Sequence, residues 1–473
     1  MNSPDLPASR LILWLVAFGF FMQTLDATIV NTALPAMAES LGESPLRMQS
    51  VVIAYALTMA MAIPASGWLA DRFGTRRVFT TALALFVAGS LACALSHNLG
   101  QLVASRVLQG LGGAMLLPVG RLAVLKSFPR EHFLKAMSFV AVPGLIGPLI
   151  GPTLGGWLVE AASWHWIFLI NVPVGLLGCA LSLRYMADWR SAALPPFDFT
   201  GFGLLAFGMV TLSLALDGLA GVGLGRAPVL VLLVFGLANL AAYWIHATRH
   251  PRPLFSPQLF HTNSFSVGLL GNLFARIGSG AMPYLIPLLL QLAMGYSPAR
   301  AGMMMLPVAA SAILSKRLAP TLIQRFGYRR VLVGNTALLG MAMAAFSLLA
   351  PAQPLWLHVL LLGFFGAVNS IQFTAMNTVT LKDLGSEQAS AGNGLLSMVQ
   401  MLSMSLGVSV AGALLAVFTE RLDVDAHGRL AAFHATYLCV GAITVASAWI
   451  FWQLAPDADR AASADKQKLA DLE

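Results

Sequence analysis

The sequence contains few charged residues and very few cysteines. Only 10% of its 473 residues are charged, whereas a soluble domain carries about 25%. Cys93, Cys179 and Cys439 lie in apolar segments and form no CxxC pair, which indicates buried apolar side chains and no disulfide. The nine histidines are dispersed, and no phosphate-binding P-loop occurs. We therefore expect no metal, no cofactor, no ATP-driven step and no enzymatic activity.

Long polar segments are also rare, and apolar runs take their place. Hydrophobic residues make up 58% of the chain, and the mean hydropathy is +0.76. A helix needs about 20 apolar residues to cross a bilayer, and fourteen runs approach that length. Their limits are 11–34, 48–70, 78–96, 100–122, 138–159, 164–185, 200–217, 229–247, 265–290, 298–318, 331–350, 355–377, 393–418 and 433–454. The sequence therefore predicts an all-α polytopic membrane protein that contacts the lipid bilayer.

Basic residues predict how the chain is oriented in the membrane. The net charge is +8, but the 28 lysines and arginines are scattered between the apolar runs, so nucleic acid is not an expected partner. If the N-terminus is cytoplasmic, twenty of them fall in inner loops and tails, five in outer loops and three inside spans. Because inner loops carry the excess of Lys and Arg, we expect a bacterial inner-membrane protein with both termini in the cytoplasm.

An internal repeat divides the chain. Residues 71–77 read DRFGTRR and residues 324–330 read QRFGYRR. Both segments follow an apolar run on the predicted inner side, and two six-helix halves separated by two extra spans would give their spacing. The expected limits are 1–190 and 263–456 for the two halves, 191–262 for the central insertion and 457–473 for a cytoplasmic tail. Internal duplication of this kind is typical of secondary transporters.

Asp26 is the deepest acidic residue in the predicted membrane region. It lies inside the run 11–34, while the other acidic residues fall in loops, tails or near span ends. A carboxylate at membrane depth costs a few kcal/mol or more, so an intramembrane acid is by default a functional-site hypothesis. The alternative is a buried aspartate that only pairs with a neighbouring cation.

Five segments resemble motifs of the fourteen-span drug:proton antiporters of the major facilitator superfamily. They are residues 25–35, 67–77, 102–114, 144–156 and 164–173. The resemblance covers essentially the whole chain and implies two six-helix bundles with two central extra spans. It also implies proton-coupled efflux of a small lipophilic or amphiphilic substrate, by a protein that is usually a monomer.

The resemblance assigns roles to three groups of residues. Proton coupling is expected at Asp26 and Arg106, which belong to neighbouring helices in that fold, although a permanent ion pair is the alternative. A cytoplasmic gate is expected at Gly67, Asp71, Arg72, Gly74, Arg76 and Arg77, although these arginines could merely set topology. A glycine and proline ridge that packs the halves and limits leak is expected at Gly144, Gly147, Pro148, Gly151, Pro152, Gly155 and Gly156, with ordinary helix packing as the alternative.

Polar side chains inside the spans are candidates for the wall of a central cavity. They are Gln23, Asn31, Tyr55, Gln109, Arg276, Tyr284, Asn377 and Gln400. Arg276 has no acid on its own helix, so it could attract anions, repel cations or bond to backbone carbonyls. Asp217 and Glu160 lie near outer span ends, where solvation is expected.

Three functions remain open from the sequence. Proton-driven export of hydrophobic compounds is favoured by Asp26 together with the glycine ridge. A proton-linked exporter of one endogenous metabolite would carry the same motifs. A membrane sensor that does not transport is the third reading.

Overall fold

The computed structural model describes residues 6–128, 130–191, 196–219, 226–422 and 426–455. Within these residues the chain forms seventeen α-helices and no β-strand. In chain order they are α1 Leu6–Leu41, α2 Gln49–Phe73, α3 Thr75–Ala94, α4 Leu99–Ser127, α5 Arg130–Ala161, α6 Trp166–Leu169, α7 Asn171–Tyr185, α8 Phe199–Leu219, α9 Arg226–Arg249, α10 Asn263–Leu288, α11 Pro298–Met303, α12 Leu306–Ser315, α13 Leu318–Phe326, α14 Tyr328–Ala344, α15 Leu355–Leu381, α16 Ser386–Arg421 and α17 Ala426–Trp452.

The described residues include thirteen helices that are long and apolar enough to cross a membrane. A fourteenth crossing is broken, because Pro298–Ser315 and Leu318–Phe326 meet at an angle of 52°. Pro320 has no N–H to donate to the carbonyl of Lys316, which weakens the helix at this point. If the bent pair is one crossing, the fourteen predicted crossings are confirmed. The sequence predicts the end of this crossing at residue 318, whereas the structure continues it to Phe326.

Connections between the crossings lie on two faces of the molecule. We call the face that carries the start of α1 and the α2–α3 turn the N-side, and the opposite face the far side. Gly74 in the α2–α3 turn has a φ of 99°, and Gly327 in the α13–α14 turn has a φ of 79°. Both values lie where only glycine is unstrained, so the two copies of the sequence repeat fold into turns of the same kind.

The helices form two six-helix bundles with two extra helices. In the first bundle α1 packs against α5, and α4 packs against α2 and α3. In the second bundle α10 packs against α16, α14 against α17 and α12 against α15. The inserted helices α8 and α9 pack against each other, and α8 also contacts α2 and α16. The two inserted helices therefore lie beside the interface between the two bundles.

The two bundles are in close contact on the far side. Thr153 Oγ1 donates a hydrogen bond to the backbone oxygen of Gly302 at 3.1 Å, which joins α5 to α11. Gln291 Nε2 donates to the backbone oxygen of Thr32 at 3.0 Å, which joins the segment after α10 to α1. These bonds, together with backbone packing between α5 and α11, close the far side in this structure.

Candidate functional site

Asp26 is the centre of a buried polar network in the first bundle. Asp26 and Arg106 are each 1% exposed. Arg106 Nη1 donates to Asp26 Oδ2 at 2.5 Å, and Gln109 Nε2 donates to Asp26 Oδ1 at 2.7 Å. Asn171 Nδ2, from the start of α7, donates to the same Oδ1 at 3.3 Å. Asp26 acts only as an acceptor in these bonds, as expected of the ionised carboxylate.

Arg106 is held by three helices. Its Nη1 also donates to Gln109 Oε1 at 2.6 Å, and its Nε donates to the backbone oxygen of Val51 at 3.2 Å. The guanidinium carbon lies 4.1 Å from the centre of the Tyr55 ring, which is within the range of a cation–π interaction. The structure therefore brings together four of the predicted site residues, namely Asp26, Arg106, Tyr55 and Gln109.

The network also includes residues that were not singled out from the sequence. Gln109 Nε2 donates to Ser90 Oγ at 2.7 Å, and Asn171 Nδ2 donates to the same oxygen at 3.3 Å. Asn171 stands inside the motif segment 164–173, so an amide in an apolar stretch was an available signal. No feature of the sequence indicated Ser90, because a single serine is common in apolar helices.

The network can respond to a single proton. As it stands, one carboxylate and one guanidinium balance each other in a place shielded from water. Removing one charge of a buried pair strands the other, at a cost of about 3–5 kcal/mol. A proton on Asp26 would leave Arg106 without its counter-charge and weaken the contact between α1 and α4.

The glycine ridge of α5 packs mainly inside the first bundle. A Cβ atom added at Gly147, Gly151 or Gly155 would meet Thr24, Thr28 or Ile29 of α1 respectively. These glycines are four residues apart and so share one face of α5. The expectation that the ridge packs the two bundles together is therefore wrong for most of its length.

The last part of the ridge does reach the second bundle. Gly156 lies against the backbone of Pro298, and Gly302 lies against the backbone of Pro152. Gly156 follows Gly155 by one residue and is thus turned about 100° around the helix. At the near end of the ridge, Gly144 packs against Phe20 of α1. Only the far-side end of the predicted ridge thus lies between the bundles.

The predicted gate on the N-side makes its ion pair within one bundle. Asp71 Oδ1 lies 3.2 Å from Lys126 Nζ at the end of α4. Asp71 is half-buried, Gly67 is exposed, and a Cβ added at Gly67 would meet open space. Arg72 is exposed and Arg76 half-buried. In this structure the pair ties α2 to α4.

The segment after α7 covers the α2–α3 turn. Thr75 N donates to the backbone oxygen of Trp189 at 3.0 Å, and Arg77 Nε lies 3.8 Å from Asp188 Oδ2. Gly74 is in such close contact with Asp188 that an added Cβ would collide with its carboxylate. A glycine is therefore needed at position 74 both for its backbone conformation and for this contact.

Arg276 of α10 has an incomplete set of partners. Its Nε donates to Asn272 Oδ1 at 3.2 Å, and its guanidinium carbon lies 4.4 Å from the centre of the Phe373 ring. Its Nη2 is buried and has no hydrogen-bond partner among the described residues. On the neighbouring helices, Gln400 Nε2 donates to Asn377 Oδ1 at 2.7 Å.

The remaining predicted cavity residues are more enclosed than expected. Asn31 is buried, and its Nδ2 donates only to backbone oxygens of α1. Tyr284 is fully buried, and its hydroxyl has no partner among the described residues. Gln23 is half-buried. The structure does not bring these three into contact with Arg276.

The sequence predicts that Glu160 and Asp217 are solvated, and the structure agrees only for the first. Glu160 is exposed, and its Oε2 accepts from the backbone N–H of Ala299 at 3.2 Å. Asp217 is half-buried, and its Oδ1 accepts from Gln49 Nε2 at 2.7 Å. The difference arises because α8 packs against α2, which covers this end of α8.

Comparison with known proteins identifies the family. The model of the Major Facilitator Superfamily matches residues 16–408 and, in a second match, residues 269–471. The chain belongs to the Major Facilitator Superfamily. It is 52% identical to a protein of Pectobacterium atrosepticum over 95% of this chain and 97% of that one. It is 49% identical to a protein of Escherichia coli over 98% and 99% of the two chains. Both relatives carry the provisional name of a multidrug resistance protein, MdtD.

Solved structures of the superfamily share the fold at low sequence identity. A POT family transporter in complex with 5-aminolevulinic acid has a TM-score of 0.67 at 14% identity, and the match covers 95% of this chain and 97% of that one. A D-xylose-proton symporter has a TM-score of 0.65 at 15% identity, with 94% and 98% covered. These likenesses support the major facilitator fold.

A second cluster of titratable groups lies on the N-side, where the inserted helices begin and end. The ligand atoms of Asp198, His246 and His250 all lie within 4.8 Å of one another, a grouping that the dispersed histidines of the sequence did not indicate. Burial would raise the pKa of Asp198, but hydrogen bonds from Gly201 N, His246 and Leu254 N outweigh it and lower that pKa. With Gly201 N at 2.8 Å, Asp198 acts as the N-terminal cap of α8.

Proposed function

We propose that this chain is a proton-coupled antiporter that exports small lipophilic or amphiphilic molecules across the bacterial inner membrane. The observation that carries the proposal is the Asp26–Arg106 pair, a neutral and buried network that one proton would unbalance. The names of the MdtD relatives support efflux as the direction of transport. The bias of basic residues supports a cytoplasmic N-side with both chain termini on it.

In the proposed cycle, the structure corresponds to the state that is closed outside and ready to accept cargo. Asp26 is ionised in this state and balances Arg106. A proton that enters from outside in the opposite state neutralises Asp26 and releases α1 from α4. Helix α1 carries this change to the far side through Thr32, which lies six residues, or about 9 Å along the helix, from Asp26.

Each segment of the chain has a role in this proposal. We propose that residues 1–190 and 263–456 move as the two rocking halves, and that 191–262 inserts two extra spans. Residues 457–473, which lie outside the described residues, are assigned to the cytoplasm, and a single chain is sufficient for transport. In this assignment Asp71, Arg72, Arg76 and Arg77 form the cytoplasmic gate that closes when the far side opens.

The decisive experiment measures substrate-induced proton flux. Purified protein is reconstituted into liposomes that contain a pH-sensitive dye, and a panel of lipophilic compounds is added under an imposed pH gradient. We expect at least one compound to release protons only when the protein is present, and Asp26→Asn protein to give no flux. Transport that is insensitive to the pH gradient would overturn proton coupling, and an absence of transport by well-folded protein would favour the sensor reading.

A further inference from the structure

Arg276 is a charged group without a counter-charge, deep in the second bundle. It lies thirteen residues, or about 20 Å along the helix, from Asn263 at the N-side start of α10. Its buried Nη2 has no hydrogen-bond partner among the described residues. A cation at this depth is expensive and normally finds an acid, a carbonyl or water.

No acidic residue of the second bundle reaches this depth. In the sequences of α10 to α17 the only acidic residues are Glu387 and Glu420, at the two ends of α16. In the first bundle Asp26 is engaged by Arg106, and at the far-side end of α8 Asp217 is engaged by Gln49. No acidic residue among the described residues therefore supplies a counter-charge to Arg276.

The guanidinium of Arg276 is held in position for such a partner. Asn272 Oδ1 accepts from its Nε, while Asn272 Nδ2 donates to the backbone oxygen of Gly268 at 3.0 Å and to Thr380 Oγ1 at 3.3 Å. These bonds fix Asn272, and through it the plane of the guanidinium. The arrangement leaves Nη2 without a partner, and a planar fork of donors matches a carboxylate.

The surroundings of Arg276 fit the rest of an amphiphilic molecule. The Phe373 ring, 43% exposed, lies under the guanidinium and offers an apolar face. Asn377 stands four residues further along α15 and, with Gln400, supplies half-buried amide groups. In the first bundle, Arg121 is a second cation that is exposed within a crossing and makes no ion pair with a described residue.

We propose that the cargo is an organic anion, an amphiphile whose carboxylate binds the guanidinium of Arg276. The apolar part of the cargo lies against Phe373, and Arg121 adds positive potential on the N-side approach. This inference rests on the proposed export function and specifies its substrate class. It distinguishes the protein from exporters of lipophilic cations, which would be repelled by two unbalanced arginines.

The test compares three probes that share one naphthyl ring. 1-Naphthoate is anionic at neutral pH, 1-naphthamide is neutral and 1-naphthylmethylammonium is cationic. Binding to the purified full-length protein is measured by calorimetry. We expect the carboxylate to bind about tenfold or more tightly than the amide, because hydrogen bonds between charged groups are stronger than those to a neutral amide. The ammonium should bind weakest.

Matched variants test whether Arg276 causes the preference for the carboxylate over the amide. Arg276→Gln should lose the advantage of the carboxylate over the amide, and Arg276→Lys should keep only part of it because the planar fork is gone. Arg317→Gln removes an exposed arginine of the same bundle and should retain the wild-type preference. Equal binding of naphthoate and naphthamide by the wild type would overturn the inference, as would a preference that survives in Arg276→Gln.

Thermal unfolding separates binding from structure. Removing an unbalanced buried charge should leave the Tm of the ligand-free protein unchanged or higher, whereas removing a structural residue would lower it. A lowered Tm with equal loss of binding for all three probes would assign Arg276 to the fold and overturn the inference. Proton flux driven by the ammonium or the amide, without carboxylate preference, would overturn the substrate class and leave proton antiport standing.

Discussion

At the scale of single residues, the charge of Asp26 is balanced inside the protein and that of Arg276 is not. Asp26 has three side-chain donors, and its partner Arg106 has contacts on three helices. In our proposals the two arginines therefore have different tasks, Arg106 in proton coupling and Arg276 in recognition of the cargo.

Neutralising Asp26 should uncouple transport. We expect Asp26→Asn to insert in the membrane and to lose efflux driven by a pH gradient, because asparagine keeps the size of the side chain but carries no titratable charge. The measurement is uptake into inverted membrane vesicles, in which export from the cytoplasmic face loads the lumen. Asp217→Asn is the matched control at the far-side end of α8 and should transport. Full gradient-driven efflux by Asp26→Asn would contradict the coupling role.

Asp26 and Arg106 should behave as one energetic unit. Each single change, Asp26→Asn or Arg106→Gln, strands a buried charge or its partners, whereas the double variant removes both charges. We expect the double variant to have a higher Tm than either single variant and to remain uncoupled. Residues in contact give such non-additive effects. Strictly additive Tm shifts across the four proteins would show that the pair does not act together.

At the scale of helices, α5 performs two packing tasks with adjacent faces. Gly147, Gly151 and Gly155 allow α1 to approach, and Gly156 allows α11 to approach from the other bundle. Because α1 contains Asp26, the same helix α5 touches both the helix that carries Asp26 and the opposite bundle. In the proposed cycle, this packing links the charge pair to the far-side closure.

Adding one methyl group at this closure should hold the far side open. Gly156→Ala would force a Cβ into the backbone of Pro298, so the closed state should lose population. Spin labels at Ala162→Cys and Arg300→Cys, both exposed on the far side, would report a longer distance. Gly203→Ala in α8, where a Cβ meets open space, is the control. An unchanged distance in the Gly156 variant would rule out this packing as the determinant of closure.

Asp198 anchors the inserted helices, and this anchor should persist at mildly acidic pH. Asp198→Ala removes the cap of α8 and should cost about 0.5–2 kcal/mol, seen as a lower Tm at pH 7. Because the pKa of Asp198 is lowered in the folded protein, its contribution is complete above the ordinary aspartate pKa and is lost only as pH falls through the lowered value. The Tm difference between wild type and variant should thus be at least as large at pH 5 as at pH 7. A difference that already vanishes at pH 5 would contradict the anchor.

At the scale of the whole molecule, each bundle contains one copy of the repeated turn, but only the copy in the first bundle begins with an acidic residue. Asp71 of the first copy pairs with Lys126, whereas the second copy has Gln324 at the matching position. We expect Asp71→Ala to impair transport more than Gln324→Ala, when both are expressed equally and tested in the same vesicles. Equal defects would show that the gate does not depend on the acid.

The sequence predicts the fold well and the site in part. Apolar runs near 20 residues mark each crossing because no other segment can remain in lipid, but the break near Pro320 and the continuation to Phe326 escape a hydropathy pattern. The depth of Asp26 and the family motifs predict its partner Arg106. The contacts of Ser90 and Asn171 depend on the relative rotation of α3 and α7, which periodicity does not determine. Periodicity also cannot assign the partners of the glycine ridge, because Gly155 faces α1 whereas the next residue, Gly156, faces α11 of the other bundle.

The neutrality of the Asp26–Arg106 pair has an electrical consequence. When Asp26 is ionised the pair carries no net charge, and when it is protonated the pair carries one positive charge. Moving one elementary charge across the full membrane potential is worth about 2.3 kcal/mol per 100 mV. When the cell interior is negative, the membrane potential would therefore favour the step in which the protonated pair becomes exposed to the cytoplasm. The ionised pair carries no net charge, so its contribution to the return step would not depend on voltage. As far as this pair is concerned, the membrane potential would therefore accelerate only the step that carries the proton inward.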